Sequence, residues 1–325
     1  MRKRDQTPIA LAIVLVSVMV ALQAQSSPRL LLGVMRSDGV IVPFAFFDGD
    51  WSVPWPTGIQ NLELPVTLDA VPKKWWGGYV PASWTFWPIG MSEPVRVMPM
   101  APAVIMAGRE RRLGLRTAVT SNDPLPTPFE LPFPKEGLAV AGDAKVEPIT
   151  IVSNRSAAGK ELVAGLQGDI LAVEQKAIDR LRSNTSWTHP LSREQRQSVM
   201  AELESWYTST LEQPGFGLSY IEAVKKYPTQ PEDEGCGLET FISGWVHTNT
   251  RGGRPRSDLV AKITYCDREG VSYMLPLGLL RAKSRTHWVF QTSSWESEWY
   301  AVVEATPGHV RYVAEYYGGG RPRRF

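Results

Sequence analysis

The sequence predicts a mainly β fold interrupted by a helical segment, a β-rich α+β chain. Three observations carry that reading. Sixteen of the 26 prolines fall between Pro43 and Pro148, which excludes long helices from the first part of the chain. Apolar residues recur most clearly at three- and four-residue steps between residues 156 and 213. From residue 214 to 317, short apolar runs alternate with turn signals, the pattern of an antiparallel meander closing into a sandwich or partly open barrel.

Residues 1–24 read as a secretory signal peptide. Arg2, Lys3 and Arg4 give a positive start, residues 9–22 form an apolar run broken only by Ser17, and Ala24 is the candidate cleavage residue. That run is shorter than the about 17 to 25 residues that a membrane-crossing helix needs, so an N-terminal membrane anchor is the less favoured reading. The expected location is secreted or periplasmic, with no membrane span once the leader is removed.

Residues 25–155 form a Pro/Trp-rich β region. Asp38-Gly39 and Asp48-Gly49 separate apolar runs and predict hairpins joining strands at 30–35, 40–47 and 51–53. Further strands are expected at 66–68, 79–87, 95–98, 113–119 and 149–152. Three alternate prolines, Pro124, Pro126 and Pro128, mark a stiff connector.

Two helices are expected in the segment 156–213. The first carries Ile170, Val173, Ala177 and Leu181 on one face, with Asp169 as its N-cap. The second begins at a capping box, Ser192 with Gln195, and continues through Val199, Met200, Leu203, Trp206, Tyr207 and Leu211 to Pro214. The meander that follows has expected strands at 219–226, 238–248, 259–266, 272–280, 287–292, 298–304 and 310–317. The Gly/Arg-rich end, residues 318–325, is expected to be a disordered tail.

Composition narrows the function. The chain is 43% hydrophobic and 21% charged, which fits neither wholesale disorder nor a polytopic membrane protein. Its 35 Lys+Arg oppose 33 Asp+Glu, and without the basic first residues the charges balance. This gives no support to nucleic-acid binding. The only cysteines, Cys236 and Cys266, are expected to form one disulfide in an oxidising compartment.

No metal site is expected. The four histidines are scattered, and a site from Cys236, Cys266, His247 and His287 lacks the short paired spacing of zinc ligands. No cofactor is expected either: Gly77-Gly78, Gly252-Gly253 and residues 318–320 do not open helical patterns, and no Gly-x-Ser-x-Gly elbow exists. The weak catalytic candidates are Glu296 and Glu298. On a strand they share one face with Cα atoms about 6.6 Å apart, close to the roughly 6.5 to 9.5 Å between the carboxyl groups of inverting glycosidases. The binding candidates are adjacent aromatics that a pleated strand cannot bury together, Trp75-Trp76 and Tyr316-Tyr317. The sequence therefore points to an exported binding or structural protein whose partner is carbohydrate or another exported protein. The alternative is an exported hydrolase acting on polysaccharide.

Overall fold

The computed structural model describes residues 29–36, 38–53, 83–89, 93–107, 110–118, 137–211, 214–228, 236–249, 255–282, 285–294 and 297–320. The leader, the strand expected at 66–68, the connector prolines, Trp75-Trp76, Glu296 and the last five residues lie outside them.

Eighteen strands and two helices are described. An N-terminal sheet holds β1 (Leu30–Met35), β2 (Val40–Phe47), β3 (Trp51–Ser52), β4 (Trp84–Pro88), β5 (Val95–Val97), β6 (Pro99–Ala107), β7 (Glu110–Thr117) and β8 (Gly137–Ala141). Its order is β5-β4-β8-β1-β2-β7-β6, with β3 on β2. The hairpin turns follow the sequence signals. Gly39 and Gly49 take left-handed φ values of 75° and 88°, which glycine adopts without steric cost.

The strands β9 (Val146–Glu147) and β10 (Thr150–Ile151) precede α1 (Ala157–Thr185) and α2 (Arg193–Ser198). Then come β11 (Glu202–Thr210), β12 (Phe216–Lys226), β13 (Leu238–Asn249) and β14 (Arg256–Tyr265). They are followed by β15 (Tyr273–Ala282), β16 (Arg285–Ser293), β17 (Ser297–Thr306) and β18 (His309–Gly320). An outer sheet runs β10-β11-β12-β13-β14 and a central sheet runs β18-β17-β16-β15-β9, every pair antiparallel. The Pro-rich region therefore lends a short edge strand to each of the two later sheets.

The layers stack as helix, outer sheet, central sheet, N-terminal sheet. The central sheet is buried on both faces, and its side chains sort by the two-residue period of a strand. Trp288, Phe290, Ala301 and Val303 pack on the outer sheet, whereas Val289, Tyr300 and Val302 pack on the N-terminal sheet. The helix α1 lays Val163, Leu166 and Ile170 on Ile221, Ile242 and Leu259 of the outer sheet. Each such buried aliphatic side chain stabilises by about 1.5 to 3 kcal/mol.

Four sequence expectations are corrected. The second helix ends at Ser198, and Leu203, Trp206, Tyr207 and Leu211 belong to β11 and its end. A bulge between Leu203 and Ser205 is the reason. It inserts one residue, so Leu203 and Trp206 face the helix at a three-residue step, which imitates helical periodicity. The capping box at Ser192 and Gln195 is present as expected. The N-cap of α1 is Ser156, accepting from Gly159 N–H, and Asp169 lies mid-helix, accepting from Ser257 Oγ at 2.7 Å. The buried stripe begins earlier, at Gly159, Val163 and Leu166. Pro99 and Pro102 argue against a strand at 99–107, yet β6 forms there as an edge strand, where a missing donor is tolerated. Finally, β18 continues through Gly320, so residues 318–320 of the expected tail are strand.

Candidate functional site

The face of the outer sheet beneath α1 is closed around ionic groups. Glu174, 1% exposed, accepts from Lys225 Nζ at 2.8 Å, from Thr240 Oγ1 at 2.9 Å and from Tyr227 Oη. Lys225 is itself fully buried and also donates to the Arg196 carbonyl at 2.8 Å. Desolvation lowers the Lys225 pKa, and the hydrogen bond and charge of Glu174 oppose that. Arg196 donates to Gln175 Oε1 at 2.6 Å and to the Leu191 carbonyl at 3.0 Å. These partners account for the buried charges, so the cluster holds the helix to the sheet.

The opposite face of the outer sheet meets the central sheet through a buried core around Trp245, Trp288 and Phe290 and a few cross-sheet bonds. Gly308 N–H, in the turn after β17, donates to His247 Nδ1 at 3.1 Å. Trp288 Nε1 donates to Ser209 Oγ at 2.9 Å. Met274 N–H donates to Glu222 Oε1 at 2.6 Å. Burial raises the Glu222 pKa to about 7, against the lowering effect of that backbone bond.

Past these stitches the two sheets diverge, leaving a cleft of about 730 Å³ between β14 and β18. That volume falls within the roughly 300 to 1,000 Å³ of small-ligand sites. Tyr220, Phe241 and Phe290 are buried and form its floor. Val260 on β14 and Tyr312 on β18 stand at its mouth, 63% and 53% exposed. Lys262 and Glu315 add opposite charges to the two lips. The buried Glu222 is the direct partner, in the β12–β13 register, of Ser243, which lines the cleft.

The far end of the cleft is shaped by the turn between β14 and β15. Arg268 holds a left-handed φ of 56° there. Its guanidinium makes a bidentate pair with Glu204 at 2.7 Å, reaches Glu239 at 3.0 Å and donates to Tyr273 Oη at 2.7 Å. The Cys236–Cys266 disulfide is formed, with Cα atoms 5.2 Å apart. The pairing of Leu238 with Tyr265 is what brings the two cysteines level. Next to it, Gly270, Val271 and Ser272 line the cleft.

The sequence candidates fall on different sides of the central sheet. Tyr316 is 1% exposed and belongs to the core against the N-terminal sheet. A buried ring there offers no contact surface, which corrects its reading as an exposed aromatic. Tyr317 is half-buried on the other face, stacked at 5.0 Å on Trp299, one pleat beyond Glu315. Glu298 shares the face of Tyr300 and accepts from its Oη, so it points toward the N-terminal sheet rather than into the cleft. Tyr220, Phe241, Val260, Lys262 and Phe290 went unmarked in sequence. As single residues on separate strands they carry no motif, and only the sheet register brings them together.

A second, smaller pocket of about 300 Å³ lies between the β2–β3 turn and the start of β16. Its cations Arg285 and Arg311 are both held by Glu304, at 2.9 Å each. Among the described residues no group of His, Cys, Asp and Glu could hold a metal ion, and no helix is long and apolar enough to cross a membrane. Comparisons with protein-family models, curated proteins and solved structures match none of them to this chain, so its function rests on the geometry of the cleft.

Proposed function

We propose that the protein is an exported, non-catalytic binding protein whose inter-sheet cleft takes the apolar face of an extended ligand. The observation that carries this reading is the open mouth: Val260 and Tyr312, large apolar side chains on facing strands, are more than half exposed above a buried aromatic floor. Solvent-exposed apolar groups concentrated at one concave place mark binding surfaces. The disulfide supports an oxidising, exported setting, as does the leader-like N-terminus. The hydrolase alternative has less support, because Glu315 is the one carboxylate among the described residues lining the cleft. Acid–base hydrolysis needs two carboxyl groups flanking the bond to be cut.

The test uses dodecanoate as a generic apolar-faced probe and the emission of Trp245, which packs against both Tyr220 and Phe290 of the floor. Saturable change in that emission, weakened by Tyr312→Asp and Val260→Asp, is the expected result. Reducing ends released from a polysaccharide panel, and abolished by Glu298→Gln, would replace the binding reading by the hydrolase.

A further inference from the structure

The cleft is bordered on the outer-sheet side by Val260, Ala261 and Lys262, three consecutive residues of β14. Successive side chains of a strand point to opposite faces. What three neighbours can present together to one groove is the backbone edge that they share. β14 pairs with β13 alone among the described residues, over an unbroken register from Tyr265 opposite Leu238 to Arg256 opposite His247. It is the terminal strand of the outer sheet, as β18 is of the central one. A ten-residue edge carrying an exposed valine is a template for another strand.

The face of β14 toward the cleft reads Asp258, Val260, Lys262 at alternate positions, opposite Trp245, Ser243 and Phe241 of β13. Asp258 and Lys262 are exposed and make no ion pair with another described residue. Opposite charges and apolar pairs directly across strands stabilise the pairing, and like charges oppose it. In the antiparallel sense shared by the other pairs of this sheet, the partner residue across from Lys262 comes first in its chain.

We propose that the occupant of the cleft is an extended polypeptide segment that adds to β14 as an antiparallel strand, with an acidic, an apolar and a basic residue at alternate positions facing Lys262, Val260 and Asp258. This rests on the binding reading above and names its partner. A lipid chain covers Val260 and Tyr312 equally well, but it offers no donors or acceptors to the edge. The added strand supplies them, and its apolar side chain enters between Val260 and Tyr312 over the Phe290 floor.

Calorimetric titration of the intact protein tests this with an acetylated, amidated peptide, Thr-Glu-Thr-Val-Thr-Lys-Thr. Its charge-reversed partner, Thr-Lys-Thr-Val-Thr-Glu-Thr, keeps the composition. Two backbone N-methylated versions of the first peptide, one methylated at the threonines and one at Glu, Val and Lys, each remove the donors of one edge. The expected result is binding of the first peptide, a loss of about tenfold or more for its charge-reversed form and for one methylated version, and retention by the other. The double variant Asp258→Lys with Lys262→Glu should invert the charge preference. Equal binding by both methylated versions would overturn the strand pairing, as would dodecanoate binding without peptide binding, and each leaves the cleft as a binding site. No binding of peptide or dodecanoate would overturn both readings.

Discussion

The two faces of the outer sheet differ in how they are finished. Toward α1, Glu174 has three donors within reach, Lys225 is fully buried, and Leu166, Ile170, Ile221 and Ile242 are 0% exposed. Toward the central sheet, a core around Trp245, Trp288 and Phe290 and a handful of cross-sheet bonds give way to a cleft whose lips keep Val260 and Tyr312 in water. Both faces are packed, but the helix side is closed around its ionic cluster, whereas the other opens at the β14–β18 end, where a partner has access. Apolar side chains left exposed at the mouth gain nothing from folding, so their place at facing edges reads as a binding feature.

The largest way to break this contrast is at Glu174. Glu174→Gln removes the carboxylate between Lys225 and Arg196 and leaves two buried cations without a counter-charge. The expected cost is about 3 to 5 kcal/mol, read from the midpoint shift in urea at constant slope. A cost below about 1 kcal/mol would show that water reaches the cluster and that the helix face is not closed.

Next comes the disulfide. Cys236→Ser frees a loop spanning 30 residues of sequence separation, and the chain-entropy argument gives a loss of roughly 3 to 4 kcal/mol. The bond ties the start of β13 to the end of β14, the strand that forms one lip. The same variant should therefore speed hydrogen exchange at the β14 amides bonded to β13 near Tyr265 more than at Leu166, measured by amide exchange. Uniform acceleration across both would separate the disulfide from the cleft.

The strands behind this contrast are legible in the sequence, its two faces are not, and the limits are physical. The meander strands follow short apolar runs bounded by turn signals, and β12, β13 and β16 need no alternation because they are buried along most of their lengths. The cysteine pairing followed from two strands expected to be neighbours. The bulge of β11 reproduces a helical step at Leu203 and Trp206, so periodicity there points to a helix. Tyr312 and Glu315 share the cleft although they are three residues apart, since a second bulge at Val302/Val303 shifts the register of β18. Alternation alone places Tyr312 with Ala314 and Tyr316, which point to the other face. Single-sequence periodicity has no means of seeing an inserted residue, and the cleft is built where such residues fall. The ionic cluster was equally invisible, because Glu174, Lys225 and Arg196 lie on three separate elements.

A buried acid between the outer and central sheets sharpens the comparison through pH. Glu222 is 1% exposed and its pKa is raised to about 7, so the folded protein favours the protonated acid. A raised folded pKa gives stability that is fully present below the unfolded value, near 4.5, and is lost as pH climbs through 7. The span corresponds to roughly 3 kcal/mol. The histidines act in the opposite direction. Burial lowers the pKa values of His189, to about 4, and of His247 and His287, so their contribution is present above the unfolded value near 6.5 and fades as pH falls. Urea unfolding of the protein and of Glu222→Gln at pH 5 and pH 8.5 isolates the carboxyl group. The stability difference between the two should shift in favour of the variant by roughly 3 kcal/mol at the higher pH. A difference that stays flat would mean that water solvates Glu222 in the folded protein.

The smallest effect gives the most direct comparison, because it sits on two consecutive residues. Leu259 and Val260 are neighbours on β14, and the pleat sends them to opposite faces. Leu259 is 7% exposed and packs with Ile170 and Ile242 beneath the helix, whereas Val260 is 63% exposed at the cleft mouth. Leu259→Ala removes buried methyl groups and leaves a cavity, so it should cost about 2 to 3 kcal/mol. Val260→Thr keeps the shape and the β-branching and places a hydroxyl where water already is, so its effect should stay within about 0.5 kcal/mol. Both are read from the same urea titrations. If Val260→Thr costs as much as Leu259→Ala, the two lips meet in solution and the cleft is closed. If it is neutral for stability yet weakens binding of the Thr-Glu-Thr-Val-Thr-Lys-Thr peptide, the residue serves the partner alone, as an apolar lip beside an unpaired edge requires.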